Sequence, residues 1–292
     1  MELGVLFHLG GPCADPGFVA AIGPAMEERG FNTVWVTEHA VLFDETNTRY
    51  PYTEDGVPPF SDSALNFLEP FTALTFIAST TKKLRLATGV CLLPQRNPVY
   101  TAKHAADLDL LSGGRFDFGI GVGWLKEEFD ALNVPWERRG ARADEYIEIA
   151  KLLWSDGPSE FAGEFYNLPS CHLYPKPVQT PHPPIIAGGD TNMALRRVAK
   201  YCDGWFGVEN QPDVGDAIEK LKPLLQQNGR SIDDLTIHVG IFDQDMKQNK
   251  LKQYRDAGTT QVILFTRSEN LDDLYRDLDK WAKGLVVPGQ GM

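Results

Sequence analysis

The chain has 292 residues, 42% of them hydrophobic, and a formal net charge of −12. That length supports two small domains or one large α/β barrel, while the acidic balance argues against nucleic acid or an anionic membrane as a partner. No apolar run approaches the ~20 residues that cross a bilayer. The start MELGVLFHLGG lacks the basic region and cleavage site of a signal peptide, and four scattered cysteines form no CxxC pair, so a cytoplasmic protein without disulfides is expected.

Strand-like and helix-like segments alternate along the whole chain. Leu3–Leu9 reads as a strand, Phe18–Arg29 as a helix closed by Gly30, and Thr33–Glu38 as a strand. Pro70–Thr80 is helical, Leu84–Val90 a strand, Val99–Leu111 helical and Arg115–Ile120 a strand. Helix Ala141–Trp154 precedes an excursion, Phe161–Pro177, in which FAGEFYNL has the look of a short hairpin. Strand Pro184–Ala187, helix Asn192–Tyr201, strand Gly204–Val208 and helix Gly215–Asn228 follow. Strand Leu235–Gly240, helix Lys247–Ala257, strand Gln261–Phe265 and helix Leu271–Lys283 complete the pattern.

Eight β-then-α units with no linker or change of composition predict one (β/α)₈ TIM barrel over residues 1–292, with insertions after the second barrel strand and before the fifth. A doubly wound open sheet is the competing fold, since a count of units does not establish closure. The first insertion, Ala40–Asn66, lies at the ligand face, where a long loop is usually a lid or substrate wall. Its Phe43, Tyr50, Tyr52 and Phe60 suggest a partly apolar pocket, although they would serve equally to pin the loop.

Binding in α/β folds occurs at the carboxyl ends of the strands. Two strand ends here are stripped of side chains, LRLATGV at Gly89-Val90 and RFDFGIGVGW at Gly121-Val122-Gly123. Bare main chain lets a flat ligand lie close, so a planar cofactor is expected there. Glu38-His39 ends the second strand, where an imidazole can move a proton near neutral pH and Glu38 can orient it or touch the cofactor. Adjacent strand residues point opposite ways, so one of the two is expected to face the cavity. Gly188-Gly189 precedes a helix opening at Asp190-Thr191-Asn192, a turn whose free N–H groups suit a phosphate, with Asp190 a competing cap.

Other chemistries lack their signatures. A GxGxxG fingerprint fails because Trp124 and Lys126 stand where glycine is needed. His8 belongs to HLG rather than a metal-binding HxH, no HExxH or GxSxG is present, and a catalytic metal is not expected. Arg138, Arg139, Arg142, Arg196 and Arg197 are candidate local clusters for an anionic ligand, or solvated helix faces.

With these residues in view, the chain resembles the luciferase-like monooxygenase family, and within it the oxidoreductases that use deazaflavin coenzyme F420. The resemblance is carried by RLATGVCLLPQRNPVYTAKHAADLDLLSGGRFDFGIGVGWLKEEFDALNVPWERRGAR, PKPVQTPHPPIIAGG and CDGW together. It implies a deazaflavin across the strand ends and a non-prolyl cis peptide at Gly89-Val90 backing the ring. It implies that Glu38 and His39 lie beside the ring as cofactor contacts and catalytic residues, with His39 moving a substrate proton. Gly121, Val122, Gly123 and Trp124 wall the ring; Glu127 or Glu128 follows at its edge, and the assignment goes to Glu128. Gly188 and Gly189 match the stretch that holds the cofactor phosphate. Flavin-using relatives such as bacterial luciferase place a phosphate-binding arginine at the position of Val122, which tilts the expectation from FMN to the deazaflavin.

The expected function is hydride transfer between coenzyme F420 and a small organic substrate. The alternatives are an FMN-dependent monooxygenase fed by a separate reductase, and a flavin- or deazaflavin-binding protein without catalysis. A homodimer through barrel helices is implied by the resemblance.

Overall fold

Parallel strands covered by helices on one side and packed on the other are buried on both faces, so they read as short continuous apolar runs. The chain repeats such runs between helices, and the computed structural model, which describes residues 1–51, 53, 55–57, 67–209 and 213–286, folds them into a ring. The strands of the ring are β1 (Glu2–Phe7), β2 (Thr33–Val36), β3 (Arg85–Thr88), β4 (Cys91–Leu92), β5 (Phe116–Gly121), β8 (Ile185–Gly188), β9 (Gly204–Val208), β10 (Thr236–Ile241) and β11 (Gln261–Phe265). Between β5 and β8 a hairpin of β6 (Ser159–Ala162) and β7 (Asn167–Cys171) stands apart from the ring, at the place where FAGEFYNL predicts one.

All ring pairings are parallel, and β1 pairs with both β2 and β11, which closes an eight-stave barrel and excludes the open sheet. The helices outside it are α1 (Pro16–Glu28), α2 (Pro70–Ala78), α3 (Pro98–Ser112), α4 (Lys126–Ala131), α5 (Arg139–Trp154), α6 (Asn192–Tyr201), α7 (Val214–Gln227), α8 (Gln248–Asp256) and α9 (Leu271–Leu285). Capping explains where several begin. Asp15 accepts from Phe18 N–H ahead of Pro16 at the first helical position, and Asn97 does the same for Val99 and Tyr100 ahead of Pro98. The sequence pattern starts both helices later because their first turns carry no apolar periodicity.

The third stave departs from its expected form. Instead of running unbroken from Leu84 to Val90, it stops at Thr88, passes through a cis Gly89–Val90 peptide and resumes as β4. Leu86 and Cys91 lie opposite Phe116 and Ile120, so this stave holds one more residue than its neighbour over that span, the definition of a bulge. The second stave also ends early, at Val36 rather than Glu38, because Glu38 turns to hydrogen-bond β4.

Inside the barrel, Leu6, Trp35, Ala87, Ile186, Phe206, Ile263 and Phe265 form a separate apolar cluster. Trp35 is completely buried and donates from its indole nitrogen to Gln261 Oε1 at 3.0 Å. Its ring takes up the space that small residues leave: a β-carbon on Gly89 would sit 3.3 Å from Trp35, and one on Gly119 would sit 3.0 Å from the indole. The lower barrel is therefore filled, and the open space lies above, at the carboxyl ends of the strands. Among the described residues, no helix is long and apolar enough to cross a membrane.

Candidate active site

A cavity of about 490 Å³ occupies that mouth, within the range of small-molecule and cofactor sites. The structure gathers Glu38, His39, Gly89, Val90, Gly121, Val122, Gly123, Trp124, Gly188 and Gly189 around it, although they come from separate stretches of sequence. Glu128 is the exception. It does not line the cavity; it is 0% exposed and sits behind His39.

The phase of α4 decides this. The sequence pattern does not show this short helix, and it turns its two adjacent glutamates to different tasks. Glu127 faces outward and accepts from Asn47 N–H at 2.7 Å and from Thr48 Oγ1 at 2.7 Å, pinning the loop that follows His39. These hydrogen bonds, Thr48 first, pull its pKa down to about 2. Glu128 faces inward and accepts from His39 Nδ1 at 3.2 Å, Gln95 Nε2 at 3.2 Å and Ala40 N–H at 2.5 Å. Burial pushes the Glu128 carboxyl up, but the bonds from His39, Ala40 and Gln95 outweigh it and leave the pKa lowered. A carboxylate only accepts, so His39 Nδ1 carries the proton in this contact.

Both Glu38 and His39 line the cavity, against the expectation that one would, because β2 ends at Val36 and strand alternation no longer applies to them. The Glu38 side chain is buried and holds the bulge: it accepts from Leu92 N–H at 2.6 Å and pairs with Arg96 at 2.6 Å. Arg96 also pairs with Glu69 and lies 5.1 Å from the Phe71 ring centroid. Burial raises the pKa of Glu38, with Arg96 and the Leu92 amide opposing. With its carboxylate committed to β4 and Arg96, Glu38 braces the site. His39 in turn stands edge-on to Trp124, centroids 5.8 Å apart, and Trp124 edge-on to Tyr50 at 5.0 Å. Tyr50 thus brings part of the first insertion into the cavity wall, together with Arg49 and Pro51. Tyr52 and Phe60, named with it from the sequence, lie outside the described residues.

The bare strand ends have two explanations that the structure separates. A β-carbon on Gly121 would meet Val90 Cγ2 at 2.6 Å, so Gly121 is bare to admit the bulge's own side chain. On Gly188 the nearest heavy atom would be 3.7 Å away, ordinary contact, so its openness serves the cavity rather than the fold. Gly189 follows with φ +109°, which L side chains rarely adopt. The helix cap here is Thr191, which accepts from Ala194 N–H at 3.2 Å; Asp190 is exposed and does not fill that role.

The arginines divide similarly. Arg197 is buried against Asp144 at 2.5 Å and Gly140 O at 2.8 Å, Arg142 binds backbone carbonyls, Arg138 pairs with Glu164, and Arg196 is exposed outside the cavity. Arg139 alone of the five lines the cavity, donating to Gly123 O at 3.2 Å with its guanidinium 3.6 Å from the Trp136 centroid. The opposite wall is apolar: Leu6, Phe206, Val208, Phe242 and Phe265. Sequence reading misses these five because an apolar residue at a strand end looks like core. His8, weighed in the sequence only as a metal ligand, also lines the cavity.

A closed eight-stave parallel barrel with a bulged third stave and a cofactor-sized mouth defines the class. The family model described as luciferase-like monooxygenase matches residues 5–243, and the chain belongs to that family. An uncharacterized protein of Mycobacterium tuberculosis is 32% identical over 279 residues, covering 92% of this chain and 95% of its own. Among solved structures, the monooxygenase RslO1 of Streptomyces bottropensis superposes with a TM-score of 0.76 at 20% identity, covering 98% of each chain. The coenzyme F420-dependent tetrahydromethanopterin reductase of Methanopyrus kandleri gives 0.75 at 17% identity, covering 97% of each.

Proposed function

We propose that the protein is an oxidoreductase that binds coenzyme F420 across the barrel mouth and serves hydride transfer between it and a small organic substrate. The observation that carries this reading is the proton-handling pair His39–Glu128 at the edge of a cavity whose floor is the Gly89–Val90 bulge. The cavity, at about 490 Å³, is in the size range of cofactor sites, and Arg139 on its wall suits an anionic group. Gly89 and Val90 would back the ring, Gly121 to Trp124 would wall it, and Gly188, Gly189, Thr191 and Arg139 would hold the phosphate.

When bound, the deazaflavin supplies or accepts the hydride at ring carbon C5. The chain's own work is to orient and to move a proton. Glu128 fixes the His39 tautomer and balances the charge when Nε2 takes up a proton, while Trp124 and the loop residues Tyr50 and Pro51 limit access of water. An FMN-dependent monooxygenase is the second reading, favoured by the description of the matching family model. Both groups carry a phosphate, so Arg139 and the Gly188 turn do not discriminate. Val122 tilts the reading towards the deazaflavin, since the resemblance implies an arginine at that position in flavin-using relatives.

Replacing His39 with Ala is expected to cut turnover by about 10²-fold or more, the scale of general acid–base catalysis, while coenzyme F420 still binds. Unchanged turnover in a variant that binds the cofactor normally would remove His39 from the mechanism.

A further inference from the structure

The apolar wall of the cavity contains one ring that is fixed by more than its own packing. Phe242 directly follows β10 and lines the cavity, yet it is only partly buried. Its ring stands edge-on to Phe265 with centroids 4.3 Å apart. The main chain around it is clamped by side chains. Phe242 N–H donates to Glu209 Oε1 at 2.8 Å, and Asp243 N–H donates to the same oxygen at 3.0 Å. Gln244 Nε2 donates to Phe242 O at 3.2 Å and to Phe265 O at 2.6 Å. The other Glu209 oxygen accepts from Lys250 Nζ at 3.1 Å, and Lys250 also donates to Asp243 at 3.2 Å.

Glu209 follows Val208, the last residue of β9, and its side chain is 8% exposed. A carboxylate so shielded, with two amides and an ammonium on it, is a firm hold, because charge-assisted bonds exceed neutral ones. Core packing accounts for Phe206 and Phe265, which are buried. A β-carbon on Gly240 would meet Phe265 at 2.7 Å and Phe206 at 3.2 Å, so that glycine admits both rings. Packing does not account for Phe242, whose apolar surface stays partly in water until a ligand covers it. A ring already fixed loses little freedom on binding. Around it, the described cavity residues from β9 onward are Phe206, Gly207, Val208 and Phe265, without a charge among them.

We infer that Phe242 is a specificity-determining residue whose ring packs on an uncharged apolar group of the substrate, and that Glu209 is a positioning residue acting through it. This rests on the proposed hydride-transfer reading and deepens it by assigning the apolar wall to substrate selection. Lys250 neutralises the Glu209 carboxylate, and the clamp lies behind the ring: neither Glu209 nor Lys250 lines the cavity.

The test is a titration of the full-length protein with fluorobenzene, an uncharged apolar probe, and with fluorobenzoate as its charged analogue, followed by the fluorine NMR signal. It is run with and without saturating oxidised coenzyme F420, for wild type, Phe242→Ala, Phe242→Leu, Glu209→Ala, Glu209→Gln and the double alanine variant. With the coenzyme bound, wild type is expected to prefer fluorobenzene to fluorobenzoate. Phe242→Ala should weaken fluorobenzene by about tenfold, the scale of one partly covered aromatic contact, with Phe242→Leu falling between it and wild type. Glu209→Ala should weaken it as well, and Glu209→Gln, which keeps an oxygen for the two amides, should restore the affinity. The double variant should be no weaker than Phe242→Ala, since a positioning residue then has nothing to position, and coenzyme F420 should bind equally to all six proteins. Equal fluorobenzene affinity in wild type and Phe242→Ala, no fluorobenzene binding, or a preference for fluorobenzoate would overturn the role of Phe242. Additive losses in the double variant would overturn that of Glu209. Failure of wild type to bind coenzyme F420 would instead strike the hydride-transfer reading, leaving the fluorobenzene comparison in the free protein to decide on Phe242.

Discussion

The pairing of His39 with Glu128 is made from a position and a partner, and the proposed proton transfer depends on both. The imidazole faces the cavity because β2 ends at Val36 and frees the next three residues, and the carboxylate behind it is completely buried yet accepts hydrogen bonds from His39, Gln95, Ala40 and Val41. Glu128 acts through His39, so it is a positioning residue. Glu128→Gln keeps the size but loses the charge that balances a proton on the ring. Its expected signature is a fall in kcat of up to about a hundredfold with little change in cofactor affinity, and an acidic limb of the kcat pH profile displaced from wild type. A variant that merely loosened the fold would lose cofactor affinity as well and keep the wild-type profile. The sequence makes His39 legible because a histidine at a strand end is a local signal. It does not choose between Glu127 and Glu128, since that choice depends on the phase of α4, six residues with no apolar stripe.

At the scale of the element, the bulged third stave and the glycines around it are one packing problem. Gly119 and Gly121 on β5 make room for Thr88 and Val90, whereas Gly188 at the end of β8 has ordinary space above it. Gly121→Ala forces Val90 to move and is expected to cost about 1–3 kcal/mol of stability as overpacking, read by urea unfolding. Gly188→Ala should leave stability within about 0.5 kcal/mol of wild type and weaken cofactor binding; undiminished binding there would contradict a ligand seated on Gly188. Small residues at strand ends were readable as a cavity mouth. Which of them yields to the protein's own side chains was not, because Val90 meets Gly121 only through the pairing of β4 with β5.

For the molecule as a whole, barrel closure was foreshadowed by the alternation of strands and helices, but the distribution of its interior was not. Trp35 plugs the middle, and a polar base of His238, Gln261 and Thr33 lies beneath it. Nothing in the strand patterns marks Trp35 or His238 as inward. Burial, opposed in part by the bond to Gln261, pulls the His238 pKa down to about 4. The unfolded chain binds a proton there below about pH 6.5, and the folded chain does so only near pH 4. In that window the unfolded state holds more protons, so stability falls as pH drops from about 6.5 to about 4. His238→Gln should remove its share, about 2 kcal/mol of the loss between roughly pH 7 and pH 5, measured as the difference between wild-type and variant urea unfolding at the two pH values. An identical pH dependence would mean that His238 is protonated in the native state.

The central proposal is that the barrel mouth, with its bulge and its Gly188-Gly189 turn, is a deazaflavin site. Equilibrium titration of the purified protein with coenzyme F420 and, separately, with FMN tests it most directly. Saturable, tight binding of coenzyme F420, weakened in Gly188→Ala, and markedly weaker binding of FMN are expected. Tight FMN binding with no binding of the deazaflavin would contradict it.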